Sequence, residues 1–196
     1  MGEKVDISMR SIIEQNMREH AGLLQQIMKR DYADQVMEAA ECILDVIRAG
    51  RKILIAGNGG SAADAQHMAA EFVVRFEKDR EGYPAIALTT DSSILSAGGN
   101  DYGFDAVYER QVQALGFEGD AFIAISTSGN SENIIRAARM AANKKMKVIG
   151  MTGLDGGKLK PFCDILLCVP HERTARIQEM HEHTIHILCQ IVEQNI

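Results

Sequence analysis

Asp64, His67, Glu71 and Arg75 recur at steps of three and four residues, which gathers them within about a quarter turn of one face if the segment is helical. A carboxylate one turn from an imidazole can pass a proton or hold a cation. Charged residues on one helix face are ordinarily just its wet side, but what precedes this face argues for more. The short apolar run Ile53 to Ala56 reads as a strand buried on both faces, and Gly57, Gly59 and Gly60 let the chain turn sharply so that backbone N–H groups can face a ligand. Ser61 stands where a helix N-cap belongs. Ligands of open α/β sheets bind at the carboxyl ends of the strands, beside such loops, so this face is aimed at a site.

Two further sets carry chemistry. Ser126-Thr127-Ser128-Gly129-Asn130-Ser131 offers four hydroxyls and a glycine between a strand and a helix, so hydroxyl donors, backbone N–H groups and the positive helix end can converge on an anion, phosphate above all. A plain turn needs only one or two hydroxyls. The loop has no lysine and is not a Walker A loop. Gly57-x-Gly59-x-x-Ala62 is only a weak dinucleotide fingerprint, because the acidic residue expected about twenty positions onward is missing. In the last helix Ile177, Met180, Ile185, Leu188, Cys189 and Val192 define an apolar side. His181 lies within it, as a core or interface histidine does. Gln178 and His186 flank that side two turns apart, about 12 Å along the axis, and can reach a shared point. His183 with His186 is an alternative i, i+3 metal pair, although His183 projects from the polar side.

The elements that must position these residues follow in order. An amphipathic helix from about Ser8 to Arg30 precedes a second one, capped by Asp34 and stopped at Gly50. After the strand Ile53 to Ala56 and its helix come a strand over Pro84 to Thr90, a short helix from Asp91, a turn at Gly98-Gly99-Asn100-Asp101, and a helix from about Asp105 to Ala114. The strand Asp120 to Ser126 leads through the hydroxyl loop into a helix from about Glu132 to Asn143. The strand Lys147 to Thr152, the turn Asp155 to Gly157, the strand Asp164 to Val169 and a helix from about Thr174 to Glu193 complete the series. Strands alternating with helices at this spacing predict a doubly wound parallel sheet in a three-layer α/β/α sandwich with two leading helices. Residues 1–196 form one domain: a helical lead-in to about 50, a sheet core over about 51–170 and a C-terminal helix over about 173–195. The apolar faces of the leading helices need cover, from the sheet or from a partner subunit.

Composition bounds the function. The chain has 196 residues, 46% hydrophobic and 24% charged, enough for one proper core. A net charge of -6 without a Lys/Arg cluster argues against a nucleic-acid binder, so an anionic substrate must be held by local dipoles. No apolar run reaches a membrane span of about 18 residues, and Met-Gly-Glu-Lys-Val-Asp at the start has no signal core, so a cytoplasmic protein is expected. Cys42, Cys163, Cys168 and Cys189, scattered without a CxxC pair, suit reduced thiols.

Gly57-Asn58-Gly59-Gly60-Ser61, His67-x-x-x-Glu71, Gly99-Asn100-Asp101, Ser126 to Ser131, Thr152-Gly-x-Asp-Gly-Gly157 and Arg176-Ile-Gln-Glu-x-His181 with His186 together closely resemble the phosphoheptose isomerases of the sugar isomerase (SIS) domain family, over nearly the entire chain. The resemblance implies conversion of D-sedoheptulose 7-phosphate, a phosphorylated seven-carbon sugar, into D-glycero-D-manno-heptose 7-phosphate for lipopolysaccharide or surface-glycan synthesis, by cytoplasmic homotetramers with zinc in the site. It implies Zn²⁺ ligands at His67, Glu71, Gln178 and His186. Substrate contacts would come from Asn58, Gly59, Gly60, Ser61, Glu71, Asn100, Asp101, Ser126, Thr127, Ser128, Ser131 and Gln178. Some members carry an acidic residue where this chain has Ala175, a departure that touches sugar contacts rather than the reaction.

The residue types suit that chemistry. Moving a carbonyl between C2 and C1 requires removal of a proton beside the carbonyl, passage through an enediol, and return of the proton to the neighbouring carbon. Glu71 is the candidate base and His186 its acid/base partner, with Zn²⁺ as a Lewis acid. Glutamine is an unusual zinc ligand. A non-catalytic SIS protein that binds a replication-initiator partner is the alternative. Those proteins resemble this chain around His67 but lack the acid four residues on, which is present here as Glu71.

Overall fold

The computed structural model describes residues 8–29 and 31–196. Arg30, the expected end of the first helix, and the amino-terminal segment read for a signal lie outside the described residues. The chain runs α1 (Met9–Ile27), α2 (Tyr32–Arg48), β1 (Ile53–Ala56), α3 (Gly60–Val73), β2 (Ala85–Ala87), α4 (Ser92–Tyr102), α5 (Val107–Leu115), β3 (Ala121–Ser126), α6 (Glu132–Asn143), β4 (Lys147–Gly153), β5 (Ile165–Val169) and α7 (Thr174–Asn195). Short 3-10 turns precede α5 and β5.

The five strands among the described residues are all parallel, in the order β2-β1-β3-β4-β5. β1 and β3 are buried at every position, which is why their sequences are unbroken apolar runs rather than alternations. Alternate residues nevertheless serve different cores. Ile53, Ile55, Ile123 and Ile125 join α1, α2, α3 and α7 on one face, whereas Leu54, Ala56, Phe122 and Ala124 join α5 and α6 on the other. This is the three-layer sandwich the alternation predicts, and both leading helices contribute to its first core.

Four local expectations are corrected. The helix expected to be capped at Asp34 starts at Tyr32 after Asp31, which makes no side-chain cap bond. Ser61 is not the N-cap of α3. Gly59 takes that position with φ 56° and ψ -120°, which L residues rarely adopt, so the helix starts two residues early and Ser61 is buried in its first turn. The second strand shortens to Ala85–Ala87 because its one neighbour among the described residues, β1, is four residues long. The turn expected at Gly98 to Asp101 is helix instead. Asp91 accepts from the Ile94 N–H at 2.9 Å to cap α4, and the chain leaves the helix at Gly103, where φ is 82°.

Candidate active site

β1 is the point where the strand order reverses, since β2 lies on one side of it and β3 on the other. The loops that follow β1 and β3 therefore splay apart at the carboxyl edge, and a crevice opens there by topology alone. The two loops are stitched together by side chains. Asn58 and Asn133 exchange amide hydrogen bonds of 2.8 and 2.9 Å, and the Tyr108 hydroxyl donates to the Gly57 carbonyl at 2.8 Å. In the hydroxyl loop the Ser126 Oγ donates to the Ser131 Oγ at 3.1 Å, and Ser128 accepts from the Asn130 N–H. Ser131 is the N-cap of α6 but makes no side-chain cap bond, so that hydroxyl and the first turn of the helix are available to an anion.

α3 and α7 bring the ionisable residues together. His67 Nε2 lies 2.9 Å from His186 Nε2, 3.3 Å from Glu182 Oε1 and 3.6 Å from Glu71 Oε1, and Glu182 Oε1 is 3.5 Å from His186 Nε2. The two rings are tilted by 58° with centroids 5.1 Å apart, so both direct a nitrogen at one point rather than stack. Gln178, one turn before Glu182, lays its amide over the glycine turn: a methyl on Gly60 would stand only 2.5 Å from its Nε2. Asp64 completes the rim. One of its carboxylate oxygens is buried without a hydrogen-bond partner among the described residues, and the carboxyl pKa is pushed up to about 6, first by burial and then by the neighbouring Glu182 charge, with His67 pulling the other way.

This donor set suits a small divalent cation. Zinc ligands about 2.0–2.1 Å from the metal in a tetrahedron stand about 3.3 Å from one another, and the spacings among His67, Glu182 and His186 bracket that value. Glu182 was not among the expected ligands. The signal for it was in the sequence, since it falls four residues after Gln178 and four before His186 on the same face of α7. Asn133 was missed as well, and nothing in its local sequence marks it.

The remaining expected residues divide. Asn58 is present at the crevice, but its side-chain amide is engaged by Asn133. Asn100 and Asp101 are exposed near the end of α4, bonded to each other at 2.8 Å, with no hydrogen bond to either loop among the described residues. Arg75 lies beyond the end of α3 and is exposed, outside the face it was expected to share. His183 is also exposed, and among the described residues it is not part of the cluster, in which His186 meets His67 and Glu182. His181 is fully buried with Nε2 3.2 Å from the Thr152 carbonyl, as a core histidine should be, and burial lowers its pKa to about 4.

Fold and site suit a phosphosugar isomerase of the SIS type, and comparison with known proteins shows that class. The SIS domain family model matches residues 16–153. A phosphoheptose isomerase from Trichlorobacter lovleyi is 49% identical over 188 residues, covering 96% of this chain and 95% of the relative. Another from Roseiflexus sp. is 54% identical over 164 residues, 84% of this chain and 83% of the relative. Among solved structures, the phosphoheptose isomerase from Neisseria gonorrhoeae is similar with a TM-score of 0.90 at 45% identity, covering 95% of this chain and 100% of that one. The chain belongs to this family, the phosphoheptose isomerases of the SIS domain. The alternative of a non-catalytic partner-binding protein finds no support among these relatives.

Proposed function

We propose that the protein interconverts D-sedoheptulose 7-phosphate and D-glycero-D-manno-heptose 7-phosphate, with the phosphate held by Ser126, Thr127, Ser128 and Ser131 and the reacting carbons set against α3 and α7. The observation that carries this reading is the junction of three parts at one crevice: the hydroxyl loop tied to the glycine turn by Asn58 and Asn133, and the glycine turn covered by Gln178 from the helix that also bears His186. Binding the phosphate at one end and reacting at the other uses the ester's charge to orient carbons that carry none.

In this reading Glu71 takes the C1 proton of the ketose, and the electron pair of that C–H bond forms the C1–C2 double bond of the enediol as the C2 carbonyl oxygen takes up a proton. His186 acts on the opposite side, returning a proton to C2 while the C1 hydroxyl gives up its own to become the aldehyde. Gln178, with amide donor and acceptor groups, orients the sugar hydroxyls, and Gly59, Gly60 and Ser61 line the approach. His67, Glu71, Gln178 and His186, with Glu182 beside them, would hold a zinc ion, which when bound supplies Lewis-acid polarisation of the carbonyl. The reading extends to a cytoplasmic homotetramer supplying heptose for lipopolysaccharide or other surface glycans. Free thiols at all four cysteines, and exposed apolar side chains at Met9, Ile12, Ile13 and Met17 along α1, support those two parts. No helix among the described residues is long and apolar enough to cross a membrane.

Glu71→Gln is the direct test. It keeps the size of the side chain but removes the basic oxygen, so turnover should fall by about 10²–10⁴-fold while phosphosugar binding survives. Exchange of the C1 hydrogen with deuterium oxide reports proton abstraction separately from product formation. Parental exchange in Glu71→Gln, at matched zinc content, would reduce Glu71 to a ligand at most.

A further inference from the structure

Glu193 is a carboxylate with almost no access to water: its side chain is 3% exposed. It lies seven residues beyond His186 on α7, two turns along nearly the same face. It accepts three successive backbone N–H groups, from Phe76, Glu77 and Lys78, at 2.9, 2.8 and 2.8 Å, and the Arg80 Nε at 3.2 Å. Burial by itself would raise this carboxyl, but the three N–H bonds and the guanidinium outweigh it and hold it below the usual range. Arg80 in turn donates to the carbonyls of Glu71 (2.8 Å), Phe72 (2.9 Å) and Glu81 (2.9 Å), and its guanidinium lies 3.8 Å from the centre of the Tyr83 ring. Two of those carbonyls belong to the last turn of α3, where a helix has no donors of its own to satisfy them.

The arrangement is a strap between two helix ends. One end is α3, which carries His67 and Glu71; the other is α7, which carries Glu182 and His186. The segment held against Glu193 also presents Phe76, whose ring packs on His186 with centroids 5.7 Å apart and a 46° tilt. A surface ion pair would have no such reach. This one is buried, is hydrogen-bonded at nearly every lone pair and proton, and acts on the backbone of the proposed base itself.

We propose that Arg80 and Glu193 are positioning residues for the isomerase site: they fix the distance between α3 and α7 and seat Phe76 against His186, and so hold the two imidazoles and Glu71 convergent. Neither residue touches the reacting atoms. The role rests on the proposed placement of the chemistry at Glu71 and His186, and a test can separate the two claims.

The test uses the full-length protein with Glu193→Gln, Arg80→Lys and Phe76→Leu. Glutamine keeps one acceptor for the backbone N–H groups but loses the charge. Lysine keeps the charge but gathers its donors on one nitrogen, which cannot span the carboxylate and the two α3 carbonyls that three separate Arg80 nitrogens reach. The NMR signals of the histidine rings, recorded without metal, read the geometry directly, because the Phe76 ring current shifts His186 and Phe76→Leu gives its unshifted position. In Glu193→Gln and Arg80→Lys the His186 signal should move toward that position. Affinity for Co²⁺, measured against a competing chelator, should fall about 10-fold or more, and kcat should fall about 10-fold with KM for the phosphosugar changed less than about threefold. Folded variants with parental His186 signal, Co²⁺ affinity and kcat would overturn the proposal. If Glu193→Gln does not fold, Arg80→Lys gives the same readings. If the parent does not turn over sedoheptulose 7-phosphate, the functional reading fails, while the ring signals and Co²⁺ affinity still decide whether the strap positions the cluster.

Discussion

The glycine turn allows a substitution that separates activity from stability. Gly60 has an ordinary helical conformation, so alanine there meets no backbone strain, and the exchange should leave stability unchanged or raise it by up to about 1 kcal/mol. The added methyl, however, would stand 2.5, 2.8 and 2.9 Å from Nε2, Cδ and Oε1 of Gln178, where ordinary contact starts at 3.4 Å. Since those atoms end a flexible side chain, it is the amide that yields, retreating by roughly 1 Å, and a displacement of that size in a positioned group costs about 10²-fold in rate. Gly60→Ala should therefore melt no earlier than the parent and lose about 10²-fold in kcat/KM, close to 3 kcal/mol of transition-state binding. Gln178→Ala should lose a similar amount, and the double variant little more than either alone, because both changes remove the same contact. Parental kcat/KM in Gly60→Ala, or losses that add in the double variant, would refute the placement of Gln178 in the chemistry. The neighbouring Gly59→Ala should show the reverse pattern. Nothing lies within 4 Å of its methyl, but the residue holds φ at 56°, so stability should drop by about 1–3 kcal/mol.

Other expectations follow from the same geometry. Replacing Ser126 and Ser128 by alanine removes two donors to a charged group at roughly 1.5–3 kcal/mol each, so calorimetry should show phosphosugar binding weakened by about 10²-fold or more, and unchanged affinity would put the phosphate elsewhere. His181, with a folded pKa of about 4 against an unfolded value of about 6.5, stays neutral in the folded protein while the unfolded chain takes up a proton. Its contribution to stability is therefore complete above about pH 6.5 and is lost, by about 3 kcal/mol in all, as the pH falls toward about 4; its ring signal should not move between about pH 8 and about pH 5.5, and a normal titration there would contradict the burial. Light scattering should find an oligomer, with the apolar side chains of α1 covered, and a fully active monomer would exclude that assembly.

How far the sequence reaches depends on the range of the interaction. β1 and β3 were legible because burial on both faces leaves an unbroken apolar run, and the hydroxyl loop because four hydroxyls exceed what a turn requires. Gly98 to Asp101 misled for a local reason. Turn residues there are overruled by the Asp91 cap upstream, and the chain turns only where Gly103 supplies a positive φ. Glu182 was readable from its spacing, four residues from both Gln178 and His186, but a glutamate on the polar side of an amphipathic helix looks like any solvated residue. The pairings of Arg80 with Glu193 and of Asn58 with Asn133 were not readable, since the partners are 113 and 75 residues apart and no local pattern announces a pairing at that distance.

The separation of His67 from His186 by 119 residues has a consequence for biosynthesis. When α3 leaves the ribosome, its future partner has not been translated. Even after β3 has followed, the sheet face bearing Ile53, Ile55, Ile123 and Ile125 lacks one of its covering helices until α7 is made. Such a nascent chain exposes apolar surface, as incomplete folds do. Once translated through α6 it has the hydroxyl loop and the glycine turn, yet it has no His186 to meet His67 and no Glu193 to fasten the end of α3. On the proposed reading of the site, a polypeptide cut short before α7 could at most grip a phosphate. Competence for chemistry arrives with the closing helix, in the same event that seals the core, so the chain is quality-controlled by its own topology: fold and catalyst are completed together or not at all.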